Sequence, residues 1–236
     1  MAITLRVNLV RSLLCLAFLL LPVLHINAQE DKVAELRRAV AQNKQALMQY
    51  QWVETTTISY KGEEKSRVVK QCFYGPNGQI QKQEFNTAPT QPEPRGLKGK
   101  MVNKKKNEMQ DYMERAQVLI TQYIPPEPDR IQAAKDAGSI SVTPQGDGTI
   151  QLLILNFVKA MDQFSLNIYP STSLIQKITI KSYLEDEPKQ VITMDVAFTT
   201  MSSGVNHPSK TVLSAPEKNI QVVTQNSNYQ IRQQAN

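Results

Sequence analysis

The sequence is poor in the residues that carry most protein chemistry. It has two cysteines, Cys15 and Cys72, and two histidines, His25 and His207. No Ser/His/Asp order, no Gly-x-Ser-x-Gly elbow, no Cys/His metal spacing and no phosphate-cradling glycine loop is present. These absences point away from an enzyme, and from a metal or organic cofactor. Glu185, Asp186 and Glu187 cluster in a turn and read as solvated, not as a catalytic carboxylate pair. Long apolar runs are also missing. The longest, Ser12 to Leu24 (SLLCLAFLLLPVL), is shorter than the ~20 residues that span a bilayer.

That run has a different meaning. Arg6 and Arg11 precede it, and Ile26-Asn27-Ala28 follows with a small residue suited to cleavage. Residues 1–28 therefore read as a secretory signal peptide, cut near Ala28, which predicts an exported, periplasmic protein. Leu14 before Cys15 does not suit a lipidation motif. Residues 29–236 are enough for one domain with its own core. Their excess of about four positive charges is mild and gives no case for nucleic acid. Cys72 alone remains after cleavage, so no internal disulfide can form and the core must hold the fold. Cys72 itself reads as a half-buried strand residue acting as a small hydrophobe.

What is there is alternation. Residues 163–200 set Phe164, Leu166 and Ile168, then Leu174, Ile178, Ile180 and Leu184, then Ile192, Met194, Val196 and Phe198 against intervening polar residues. Period two means strands with one apolar and one wet face. Short polar turns at Pro170–Ser173 and Glu185–Pro188 make neighbours antiparallel. Further strands are expected at 50–60, 66–74, 79–85, 139–142, 149–157, 208–213 and 219–231, giving about ten. The 149–157 run is apolar on both faces and is expected to be covered on both.

Two helices stand out. Residues 30–49 place Val33, Leu36, Val40 and Leu47 near one face. Residues 107–123 carry Met109, Tyr112, Met113, Ala116, Leu119, Ile120 and Tyr123 at helical spacing, stopped by Pro125 and Pro126. A brief helix over 128–137 follows, ending at Gly138. Between strand three and the Met-rich helix, residues 86–107 hold prolines, glycines and basic residues, and are expected to be a mobile loop or a loosely packed excursion. Arg95, Lys98, Lys100, Lys104, Lys105 and Lys106 form a cationic cluster there. It is either a solvated loop or a contact for anionic headgroups or an acidic envelope protein. No aromatic residue interleaves the lysines, so nucleic acid is not an expected partner.

The sum is α+β: a curled antiparallel sheet of about ten strands, an incomplete β-barrel, with helices over its concave apolar face. Ten strands at ~4.8 Å make a sheet about 45 Å wide. Two helices of about 10 Å diameter cover roughly half of that. The face therefore either packs solid or leaves an apolar cavity. Its expected lining is Met109, Met113, Leu119, Ile120, Phe164, Leu166, Ile178, Ile180, Ile192, Met194, Val196 and Phe198.

The order of elements, with Tyr50–Ser59 (YQWVETTTIS) after the first helix, Gly204 to Leu213 (GVNHPSKTVL) late in the chain and Asn228-Tyr229 near its end, resembles the Lol-type periplasmic lipoprotein-carrier superfamily. The resemblance covers the whole of residues 29–236. It implies an unclosed barrel whose helices form a lid over a cavity for acyl chains, with a lipid or a lipoprotein as partner. An exported interaction module of the same fold with a solid core is the other expectation.

Overall fold

The computed structural model describes residues 21–85, 96–124, 128–184 and 190–232. The order is α1 (Leu21–Leu47), β1 (Tyr50–Tyr60), β2 (Glu63–Tyr74), β3 (Ile80–Glu84), α2 (Gly96–Thr121), α3 (Pro128–Asp136), then β4 (Ile140–Pro144), β5 (Ile150–Leu155), β6 (Gln163–Ile168), β7 (Ile175–Tyr183), β8 (Val191–Thr200), β9 (Asn206–Ala215), a 3-10 turn at Pro216–Lys218 and β10 (Ile220–Ile231). All ten strands belong to one antiparallel sheet, ordered β3-β2-β1-β10-β9-β8-β7-β6-β5-β4. The fold is α+β, an incomplete barrel with helices on its concave apolar face. The Glu185–Pro188 turn and Pro125-Pro126 lie outside the described residues.

Cross-strand register explains why one face is the core. A single row runs Ile140, Ile154, Phe164, Ile180, Met194, Leu213, Val222, Ile58 across eight strands. The next row begins Val142, Leu152, Leu166, Ile178, Val196 and then changes to Thr211, Thr224 and Thr56. Beyond it, Asn226, Glu54, Lys70 and Glu84 continue the polar end. Glu54 accepts from Lys82 at 2.8 Å, and Thr56 Oγ1 meets Thr224 Oγ1 at 3.3 Å. The concave face is thus apolar from β4 to β1 in the first row and from β4 to β8 in the second, and polar beyond. The apolar part therefore narrows from eight strands to five, about 38 Å to about 24 Å. That width suits the helices above it better than the full sheet would.

The convex face is wet, as alternation requires. Lys177 Nζ lies 2.7 Å from Asp195, which also accepts from Thr179. The expectation that β5 is covered on both faces is not met. Leu155 is 47% exposed on β5, one strand from the edge of the sheet.

The helices differ from their expected bounds. Helix α1 spans Ala28, the expected cleavage point. Its buried stripe includes Leu36 and Leu47, while Val40 is exposed. Asn43 faces the sheet instead and exchanges hydrogen bonds with the Asn206 backbone, at 2.6 and 2.7 Å. Helix α2 starts at Gly96, eleven residues before the expected Asn107, so residues 96–107 are helical and not a loop. Gly96 and Gly99 fall in the first turn, where glycine costs little. The following Lys, Met, Asn and Glu residues offer no break. Residues 86–95 lie outside the described residues. Helix α3 closes on Gly138 at φ +66°, with Ser139 N bonded to Ala134 O at 2.8 Å.

One buried knot ties the helical excursion to the sheet. Asp162, with no exposure, accepts from the backbone N–H groups of Phe157, Val158 and Lys159 at 2.6–2.9 Å. Tyr123, just past α2, donates to the same carboxylate at 2.6 Å and lies 2.8 Å from Ser182 Oγ. Removing the carboxylate strands several buried donors at once. Asp162→Ala is expected to lower unfolding free energy by about 3–5 kcal/mol and Tyr123→Phe by about 1–2 kcal/mol, measured by urea denaturation.

Candidate functional site

The expected lining residues are brought together. All twelve belong to one contiguous apolar cluster. Phe164, Ile180 and Ile192 have no exposure, and Leu166, Ile178, Met194, Val196 and Leu119 are buried. Met109, Met113, Ile120 and Phe198 are half-buried at its margin. Spacing explains the convergence. Residues two apart along β6, β7 and β8 share a face, and the turns of α2 bring 109, 112, 113, 116, 119 and 120 down onto it.

The lid-like element is α2. Its inner side is Met109, Tyr112, Met113, Ala116, Leu119 and Ile120, two of them methionines able to adapt to irregular contacts. Its outer side includes Val118, 62% exposed. The Tyr123–Asp162 tie lies beyond its C-terminal end. Burial and the adjacent Asp162 carboxylate push the Tyr123 hydroxyl well above its ordinary range, so it stays a donor. Of the cationic residues, Lys98, Lys100, Lys104, Lys105 and Lys106 all lie within α2, and Lys104 is exposed, 3.9 Å from Glu108. Arg95 lies outside the described residues.

A second, smaller core occupies the β1, β2 and β10 end. Trp52 stacks on Tyr229 at 5.5 Å and 11°, and tilts against Tyr74 at 5.7 Å. His207 lies 3.9 Å from Tyr229. Asn228 takes φ +53° at the bulge that turns Tyr229 toward Trp52. Cys72 is fully buried, not half-buried, and burial with the nearby Glu54 charge pushes its thiol up to about 11. A thiol so placed is inert. Burial also lowers the His207 pKa, so the ring is neutral at pH 7.

Of the clefts among the described residues, two open at opposite ends of β1 and β10. One, 570 Å³, is lined by Tyr50, Ser203, His207, Asn226 and Tyr229 among others. The other, 560 Å³, lies between α2 and the β1–β2 turn, with Tyr60, Lys61, Met109, Tyr112, Lys218 and Ile220 in its walls. Met109 is the link between that cleft and the twelve expected residues. Among the described residues no group of three or more His, Cys, Asp or Glu is placed to hold a metal.

Sequence reasoning missed Asp162, Lys61 and Lys218. Asp162 sits in a short loop between β5 and β6 with no motif to mark it. The two lysines stand far apart in the chain, and only strand pairing brings them to one end.

The neutral state of His207 gives a pH dependence. Its folded pKa lies below the unfolded value of 6.5, so its stabilising contribution is complete above that pH and is lost as pH falls through the folded value. Melting temperature is expected to drop on acidification from about pH 7.5 to about pH 5, and His207→Gln to flatten that slope. The buried Cys72 thiol is expected to resist a maleimide reagent in the native state and react fully in urea.

No family model and no curated protein matches the sequence. Two solved structures are similar in shape. A DUF1329 family protein from Desulfovibrio piger superposes with a TM-score of 0.41 at 8% identity, over 88% of this chain and 94% of that one. A LolA superfamily protein from Nitrosomonas europaea superposes with a TM-score of 0.39 at 9% identity, over 84% of this chain and 94% of that one.

Proposed function

We propose that this chain is an exported, non-enzymatic binding protein that holds a lipid, or the acyl chains of a lipoprotein, against the apolar face of its curled sheet. Helix α2 serves as the lid. The single observation carrying this reading is the composition of that face under that lid. A row of aliphatic and aromatic side chains crosses eight strands with no hydrogen-bonding group in it, and a Met-bearing amphipathic helix lies above it. Such a surface recognises hydrocarbon and nothing more specific. Each CH₂ taken from water contributes about 0.8 kcal/mol, so a long chain can offset the separation of Tyr112, Ala116 and Leu119 from the sheet. The Tyr123–Asp162 knot then acts as the hinge, because it fixes the end of α2 while the Met109 end is half-buried. The leader-like residues 1–28 support a periplasmic site of action, and the Lys-rich start of α2 supports contact with an anionic envelope membrane or an envelope protein. Lipoprotein sorting or transport is the process such a protein would serve.

Close packing of the same residues favours a second reading, an exported interaction module with a solid core. Organic extraction and mass spectrometry of protein purified from a heterologous periplasm separate the two. Co-purifying acyl lipid, or saturable binding of a fluorescent fatty-acyl probe, is expected. Protein that is empty and also fails to bind the probe overturns the carrier reading in favour of the module.

A further inference from the structure

The cleft between α2 and the β1–β2 turn has features that a plain hydrocarbon site does not need. Two turns distant in sequence meet there. Lys61 N donates to Asn219 O at 2.8 Å, which sets Lys61 beside Lys218. Lys61 holds φ +53° and Asn219 φ +54°, a left-handed geometry that lysine adopts rarely. Among the described residues, no carboxylate pairs with either lysine. Lys61 Nζ lies 5.6 Å from the Tyr60 ring centre and Lys218 Nζ lies 5.8 Å from the Tyr112 ring centre. The acidic residues in the cleft wall are engaged on their own helix, Glu108 with Lys104 and Asp111 with Arg115.

Beside these charged groups the cleft has apolar walls at Tyr60, Met109, Tyr112 and Ile220. Tyr112 lines it at 3% exposure, and its hydroxyl is buried without a hydrogen-bond partner. An unpaired buried donor is costly unless something outside the chain accepts from it. Tyr60, Met109, Tyr112 and Ile220 are also part of the main apolar cluster or packed on it. The cleft floor is therefore continuous with the face beneath α2.

We infer that this cleft is a headgroup site for an anionic amphiphile. A carboxylate or phosphate head binds between Lys61 and Lys218 and accepts from the Tyr112 hydroxyl. Its hydrocarbon tail runs past Met109 under α2. The inference rests on the carrier reading and specifies its ligand as one with an acidic head.

Calorimetric titration of the full chain with dodecanoate, dodecan-1-ol and inorganic phosphate tests it. Dodecanoate is expected to bind more tightly than dodecan-1-ol, and K61Q/K218Q to weaken dodecanoate by roughly tenfold while leaving dodecan-1-ol unchanged. Tyr112→Phe is expected to weaken dodecanoate without lowering the melting temperature, because it deletes an unpaired hydroxyl. Equal binding of acid and alcohol, insensitive to K61Q/K218Q, overturns the headgroup site and leaves the carrier reading standing. Failure of both amphiphiles to bind overturns both. Phosphate binding as tightly as dodecanoate, with the same lysine dependence, overturns the amphiphile in favour of a free-anion site.

Discussion

The pairing of β1 with β10 is the constraint on which the rest depends. It is the junction between β3-β2-β1 and the other seven strands, and it runs from Tyr50–Ile231 to Tyr60–Ile220 with one bulge between Gln51 and Val53. An isolated three-stranded meander with an exposed third strand has little to hold it. Joined to β10, it continues a sheet whose far side carries the core. The same pairing sets three local structures. It brings Tyr229 onto Trp52, it opposes Thr224 to Thr56, and it places the β1–β2 turn against the turn at Asn219. The price is a late, long-range contact, since the partners come from the two ends of the described chain.

Burial follows from this arrangement in an uneven way. The part of the sheet under the helices is buried and apolar. The other half shows threonine, glutamate and lysine on the same concave side, so it needs no cover. Width at the full strand count therefore overstates the apolar surface. What decides the fit is where the rows change from apolar to hydroxyl-bearing residues, at Thr211 on β9 in one row and at Ser66 on β2 in the other. The helices are adequate to the part that is greasy.

Much of this was legible in residues 163–200. Phe164, Leu166, Ile178, Ile180, Ile192, Met194 and Val196 alternate so regularly that both strand and face follow. The α2 stripe was legible for the same reason, with period 3.6 in place of 2. The start of α2 was not, because Pro-, Gly- and Lys-rich sequence reads as a loop until a partner surface stabilises the helix that continues from it. Val40 was assigned to a buried face that Asn43 occupies, because a polar side chain with two backbone partners can replace an apolar one.

The sequence by itself determined the strand count, the turn at Pro170–Ser173, the inward set of β6–β8 and the amphipathic helix above them. These are local facts, fixed by periodicity and turn chemistry within a few residues. Tertiary structure alone decided that β1 lies beside β10, that Tyr123 donates to Asp162, and that Lys61 and Lys218 share one cleft. Each of these joins residues far apart in the chain. Such pairings depend on the whole apolar face closing at once, which no window of sequence contains.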